Sequence, residues 1–125
     1  MSRKSVLLVD DDPVFIEAVR AVLETRYEIS TASNGTEALA ALDKSLPDLM
    51  VLDVMMDHLS EGFDVARRVK RTERTAGIPI IILTGVDSVY NYRMEVGEAW
   101  VDCEKFLEKP VSPTDLLKHV AEVIG

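Results

Sequence analysis

Residues 5–13 read SVLLVDDDP, an apolar run followed directly by three acids and a proline. A short, nearly continuous apolar run is typical of a strand that is covered on both faces, as in a parallel sheet. Asp12 and Pro13 form a helix-start signal, because an acidic N-cap accepts backbone N–H groups and proline fits the first helical position. The segment therefore predicts a strand that leads straight into a helix.

Strand-like runs continue to alternate with helical segments along the rest of the chain. Further strand-like runs occupy residues 27–32, 49–52, 78–83 and 106–107. Apolar residues at helical spacing follow Asp12, the Asn34-Gly35 turn, Gly62 and Ser112, and a further helix is expected at about 87–96. Five strands alternating with five helices predict an α/β fold with a doubly wound, mostly parallel sheet.

Length and composition exclude several classes of protein. The 125 residues fit one domain, and 14 basic against 22 acidic side chains give a formal charge of −8. That charge argues against direct nucleic-acid binding and against docking on anionic lipid. A single cysteine, Cys103, excludes an internal disulfide and a thiolate metal cage. With no apolar run of about 18 residues and no leader-like start, a cytoplasmic protein is expected.

Polar side chains follow four of the predicted strands. Asp10 and Asp11 come after the first, Asp53 after the third, Thr84 after the fourth and Lys109 after the fifth. Sites in open α/β sheets form beyond the carboxyl ends of the strands, so these side chains should converge. Asp12, the next acid along the chain, is assigned only a helix-capping role.

Three carboxylates at one edge need a compensating charge. At about 5 Å and an effective dielectric near 20, each like-charge pair costs on the order of 3 kcal/mol. An all-oxygen cluster suits Mg²⁺, which binds one or two carboxylates together with phosphate oxygens and water. Lys109 and Thr84 supply a cation and a hydroxyl donor for a phosphoryl group. The pattern predicts magnesium-assisted phosphoryl chemistry with a carboxylate as a candidate covalent acceptor.

Four stretches of the chain resemble the receiver domains of two-component response regulators. They are LLVDDDP at 7–13, PDLMVLDVMM at 47–56, IIILTG at 80–85 and FLEKP at 106–110. They occur in the family's order and span essentially the whole chain. The resemblance implies a flavodoxin-like, five-stranded parallel sheet of order 2-1-3-4-5 flanked by five helices. It also implies a single receiver domain over 1–125, of the stand-alone chemotaxis type, without an output domain.

The resemblance implies roles for the acidic residues. Asp53 would accept a phosphoryl group from the phosphohistidine of a sensor histidine kinase or a histidine phosphotransfer protein. Asp11 would bind Mg²⁺ directly and Asp10 partly through water, with Asp53 and the backbone carbonyl of Met55 as further ligands.

The resemblance also implies a switch. Thr84 and Lys109 would hold the phosphoryl oxygens, and the Lys109–Pro110 bond would be cis. Phe106 stands at the position of the family's aromatic switch, although plain core packing explains it equally well. Phosphorylation would change a partner-binding surface, so the protein is expected to be a signalling switch and not a conventional enzyme. Monomer and homodimer both stay open, as does the downstream target.

The chain departs from the family pattern in two loops. Asp57 replaces the usual proline after the phosphorylated aspartate, and Gly62 comes one residue late, so residues 57–61 should form a longer, more acidic loop. Lys109 lies 12 positions after Gly97, further than the family pattern suggests. The insertion around 98–104 carries Trp100, either a local anchor or a partner contact.

Two other functions compete with a phospho-accepting switch. In a phosphatase of the haloacid dehalogenase type, Asp10 would be the nucleophile and Asp12 the acid/base. The acidic metal-binding motif that such enzymes carry after the lysine is missing here. The other alternative is a receiver-like module that binds partners without phosphorylation.

Overall fold

Five parallel strands form one sheet in the order β2-β1-β3-β4-β5, which confirms the predicted topology. The computed structural model describes residues 3–53, 59–85 and 103–125. Strand order reverses between β1 and β3, which lie side by side, and this switch point is where sites form in open α/β sheets. The strands are β1 (Ser5–Val9), β2 (Glu28–Ala32), β3 (Leu49–Asp53), β4 (Ile80–Gly85) and β5 (Lys105–Lys109).

Four helices lie in the described part of the chain. They are α1 (Pro13–Leu23), α2 (Gly35–Lys44), α3 (Leu59–Arg71) and the C-terminal helix (Pro113–Ile124). Two start signals are confirmed: the Asp12 carboxylate caps α1 and the Ser112 hydroxyl caps the C-terminal helix. The helix expected at 87–96 falls outside the described residues. None of the described helices is long and apolar enough to cross a bilayer.

Several strand and helix boundaries differ from the sequence prediction, most clearly those of α3 and β4. Helix α3 begins at Leu59, so the expected loop at 57–61 is wrong for its last three residues and Gly62 lies inside the helix. A helical glycine costs about 1 kcal/mol, and burial of Val65, Ala66 and Val69 further along the helix stabilises α3. Strand β4 begins at Ile80, because Pro79 has no N–H to donate to the ladder. It extends to Gly85, which places Thr84 within the strand.

The core lies on both faces of the sheet, as the continuous apolar runs predicted. Alternate residues of each central strand point to opposite faces. Helices α2 and α3 cover one face, and α1 with the C-terminal helix covers the other. The buried apolar residues of the three central strands are Leu7, Val9, Met50, Leu52, Ile80 and Ile82 on the α2–α3 face and Val6, Leu8, Leu49, Val51, Ile81 and Leu83 on the other.

The start of α2 depends on a reciprocal cap. The side chain of Asn34 accepts the Glu37 N–H at 2.8 Å, and the Glu37 carboxylate accepts the N–H and hydroxyl of Ser33. These two bonds from Ser33 lower the pKa of Glu37 below its usual value. We expect Asn34→Ala to reduce the free energy of unfolding by about 1 kcal/mol in urea titrations. Asn34→Asp keeps the acceptor and should stay near wild type; an equally stable alanine variant would show that the cap is dispensable.

Candidate functional site

The polar side chains predicted as a site meet at the carboxyl edge of the sheet. Asp10 directly follows β1, Asp53 is the last residue of β3, and Lys109 is the last residue of β5. Strand pairing sets Thr84 one residue past the partner of Asp53 and one residue before the partner of Lys109. The parallel register therefore brings residues from four strands to one end of the molecule.

Most of this cluster is buried. Asp10 is 0% exposed, Asp53 2% and Thr84 1%. Among the described residues four polar or charged side chains are buried, and these are three of them. Burying a carboxylate costs several kcal/mol unless a counter-charge and hydrogen bonds compensate. Two such carboxylates side by side therefore require a cation.

Lys109 supplies one such cation. Its Nζ lies 3.1 Å from Asp10 Oδ2 and 3.2 Å from Asp53 Oδ2, so one ammonium bridges both buried carboxylates. Burial works to lower the pKa of Lys109, but the charges of Asp53 and Asp10 outweigh it and raise the pKa above its usual value. Lys109 therefore stays charged at neutral pH and is placed to hold an anion.

The pKa of Asp10 is raised, mainly because its carboxyl group is buried. Burial raises the pKa of Asp10 to about 6, and the Asp53 charge adds to the rise. The Asp12 N–H, which donates to Asp10 Oδ1 at 2.9 Å, and the Lys109 ammonium both oppose it. The cluster holds three carboxylates, those of Asp10, Asp11 and Asp53, so the single Lys109 ammonium leaves it with a net negative charge.

The acidic cluster fits a magnesium site. Asp10, Asp11 and Asp53 each offer a carboxylate oxygen, and these oxygens all lie within 4.8 Å of one another. Asp11 is exposed, so the cluster is reachable from solvent. Oxygen donors with room for water are what Mg²⁺ prefers. Met55, whose carbonyl was the fourth expected ligand, lies outside the described residues.

Substitution of Asp12 provides a matched control for substitution of Asp11. Asp12 accepts the Val14 N–H at 3.0 Å as the N-cap of α1 and does not belong to the carboxylate cluster, as predicted. We expect Asp11→Asn to weaken Mg²⁺ binding about tenfold or more, because it replaces a charged oxygen donor of the candidate site by a neutral amide. Asp12→Asn removes the same charge but keeps the cap, so binding should change little. Magnesium titration by calorimetry separates them; equal weakening would reduce the effect to net charge.

Phe106, the candidate switch, is half-buried. It lies opposite Ile82 in the β4–β5 pairing and packs against the core cluster on the α2–α3 face. This position fits core packing and a switch equally, so the switch role stays a prediction. The Lys109–Pro110 bond is cis, as the resemblance implied.

Other candidate residues have structural contacts. His119, in the C-terminal helix, has its Nδ1 3.1 Å from Lys105 Nζ. Cys103 is half-buried against the core cluster on the α2–α3 face. Three basic side chains in and just after α3 also have partners. Arg67 pairs with Asp64 at 3.1 Å, Lys70 donates to the Ile78 carbonyl at 2.8 Å, and Arg74 pairs with Asp43 at 3.9 Å.

Asp57, His58 and Trp100, in the two loops that depart from the family pattern, lie outside the described residues.

Sequence reasoning missed one residue that contacts the site. Phe15, treated only as a core residue of α1, has its ring 4.5 Å from Lys109 Nζ. The available signal was an aromatic side chain in the first turn of the helix that starts at this edge.

Comparison with known proteins gives the same family throughout. The response regulator receiver domain profile matches residues 6–121. The phosphate regulon transcriptional regulatory protein PhoB of Pseudomonas aeruginosa is 36% identical over 127 residues, covering 99% of this chain and 53% of that protein. The DNA-binding dual master transcriptional regulator RpaA of Synechocystis is 31% identical over 120 residues, covering 95% of this chain and 48% of that protein.

A solved structure matches over its whole length. The chemotaxis response regulator CheY4 of Vibrio cholerae has a TM-score of 0.83 at 32% identity, covering 98% of this chain and 99% of that one. By contrast, the chain spans about half the length of the curated relatives that it matches.

Proposed function

The chain belongs to the response regulator receiver domain family, the phospho-accepting signalling domains of two-component systems, and on that premise we propose that Asp53 is the acceptor. One observation carries the assignment: Lys109 Nζ bridges Asp53 and Asp10, 3.2 and 3.1 Å away, at a buried edge of the sheet. Asp53 ends a central strand beside the switch point, and the exposed Asp11 leaves the cluster open to a phosphodonor.

The chemistry that we propose is a phosphoryl transfer between nucleophiles. An Asp53 oxygen attacks the phosphorus of a phosphohistidine, the P–N bond breaks, and the imidazole leaves with the electron pair. The Lys109 ammonium offsets charge on the phosphoryl oxygens and the Thr84 hydroxyl donates to one of them. Bound Mg²⁺, held by the carboxylates of Asp10, Asp11 and Asp53 and the Met55 carbonyl, would supply further charge neutralisation.

The switch follows from added charge. A phosphoryl group brings about −1.5 to −2 charges to a cluster that already exceeds its cations. Lys109 and Thr84 must then move toward the new oxygens, and Phe106 can follow into space vacated along β4. We propose that a partner protein recognises this changed surface, and that the phosphodonor is a sensor histidine kinase or a histidine phosphotransfer protein. We also propose that this protein acts in the cytoplasm.

Nucleic acid is not excluded as a partner of the whole protein. The charge of −8 argued against direct binding, but relatives include a DNA-binding regulator twice as long as the matched region. The sequence-based exclusion is therefore not supported.

Mg²⁺-dependent labelling tests the function. Incubating the full chain with acetyl phosphate and Mg²⁺ should give one phosphoryl group per chain, and chelation with EDTA should prevent it. Intact-protein mass spectrometry measures both. A folded protein that takes no label would contradict the proposal and favour the partner-binding module.

A further inference from the structure

Lys109 has a contact besides the two carboxylates: the face of the Phe15 ring. The ammonium nitrogen lies 4.5 Å from the ring centroid. This is within the roughly 6 Å over which the negative face of an aromatic ring attracts a cation. Phe15 is half-buried in the first turn of α1 and packs against the core cluster on the α1 face of the sheet.

We propose that Phe15 is a positioning residue of the phosphoryl site, whose ring holds the Lys109 ammonium against the acceptor; this rests on the proposed function. The two carboxylates approach the ammonium from the sheet, and the ring approaches it from α1. Lysine is a flexible side chain with a point charge, so contacts from two elements narrow its range of positions.

Hydrogen bonds connect the backbone that carries the ring to one of the two carboxylates, that of Asp10. The Asp12 N–H donates to Asp10 Oδ1 at 2.9 Å, and the Asp12 carboxylate caps α1. The first turn of α1, including Phe15, is therefore tied to the buried end of β1. A ring in that position stays at Lys109 when the acceptor carboxylate changes its charge.

The attraction between the Phe15 ring and the Lys109 ammonium does not depend on the charge state of the carboxylates. Metal binding or phosphorylation alters the charge of Asp10 or Asp53, and with it the attraction on Lys109. The quadrupole of the Phe15 ring does not change in either event. We therefore expect Phe15 to keep Lys109 at the site while the charges around it are rearranged.

Ring chemistry at position 15 tests the inference. Phe15→Leu keeps an apolar side chain and should slow acetyl phosphate labelling about fivefold at saturating Mg²⁺, whereas Phe15→Tyr should restore the wild-type rate. Mono-, di- and trifluorinated phenylalanine at this position should slow labelling stepwise, because fluorine weakens the ring quadrupole with little change of shape. A purely packing role predicts equal rates across the fluorinated series, and that result would overturn the inference.

A spectroscopic readout works without any phosphodonor. A ring face over Lys109 should shift the protons of its Cε upfield in the NMR spectrum, with the other five lysines as internal references. The shift should vanish in Phe15→Leu and persist in Phe15→Tyr; its absence in folded wild type would contradict the contact.

The labelling outcomes separate this inference from the proposed function. If wild type is not labelled, the proposed function fails. If wild type is labelled and all Phe15 variants are labelled at the same rate, only this inference fails.

Discussion

Asp53→Asn is expected to remove Mg²⁺-dependent phosphoryl labelling, slowing it by about a hundredfold or more. An amide cannot form the acyl phosphate, while Thr84, Lys109 and the rest of the cluster stay in place. The substitution removes a buried negative charge beside Asp10, so the variant should fold. Labelling with acetyl phosphate, followed by intact mass, measures the loss.

Asp12→Asn is the matched control for this substitution. It makes the same chemical change a short distance away, on a side chain that caps α1. This control should be labelled at the wild-type rate. Full labelling of Asp53→Asn would contradict the assignment and turn attention to Asp10, the nucleophile of the phosphatase alternative.

Asp10→Asn is expected to stabilise the metal-free protein at neutral pH. Burial raises the pKa of Asp10 from an ordinary 3.8 to about 6. Between these values the folded protein keeps a proton that the unfolded chain has lost, so wild-type stability falls as pH rises. The cost of charging Asp10 in the folded protein therefore accumulates over this interval and is largely complete at pH 7.

Comparing the free energy of unfolding of wild type with that of Asp10→Asn separates the effect of Asp10 from that of the other carboxylates. Urea titrations at pH 4 and pH 7, without metal, should show the advantage of Asp10→Asn growing with pH. Asparagine can still accept the Asp12 N–H that Asp10 Oδ1 accepts. Mg²⁺ at pH 7 should stabilise wild type more than the variant and so reduce the difference. A difference independent of pH would contradict the raised pKa.

Much of the fold and site could be predicted from local sequence. The run at 5–13 encodes a strand, a cap and a helix start, and each behaves as its chemistry dictates. Because parallel strands share a carboxyl edge, the positions of Asp53, Thr84 and Lys109 at strand ends were enough to predict their convergence.

Other features depend on tertiary packing and could not be predicted in this way. Gly62 suggested a helix start, yet α3 begins three residues earlier, at Leu59. The Phe15–Lys109 contact joins the first turn of α1 to the end of β5, and no local pattern reports such a pair. Asp10 is buried and its neighbour Asp11 is exposed, a difference that depends on tertiary packing and that the local sequence does not predict.

Locating the acyl phosphate tests the central claim most directly. Borohydride reduces an aspartyl phosphate to homoserine, which peptide mass spectrometry assigns to a position. After treatment with acetyl phosphate and Mg²⁺, we expect homoserine at position 53 alone, and none when EDTA is present. Homoserine at position 10, or none at any position in a folded sample, would contradict the assignment of Asp53 as the phosphoryl acceptor.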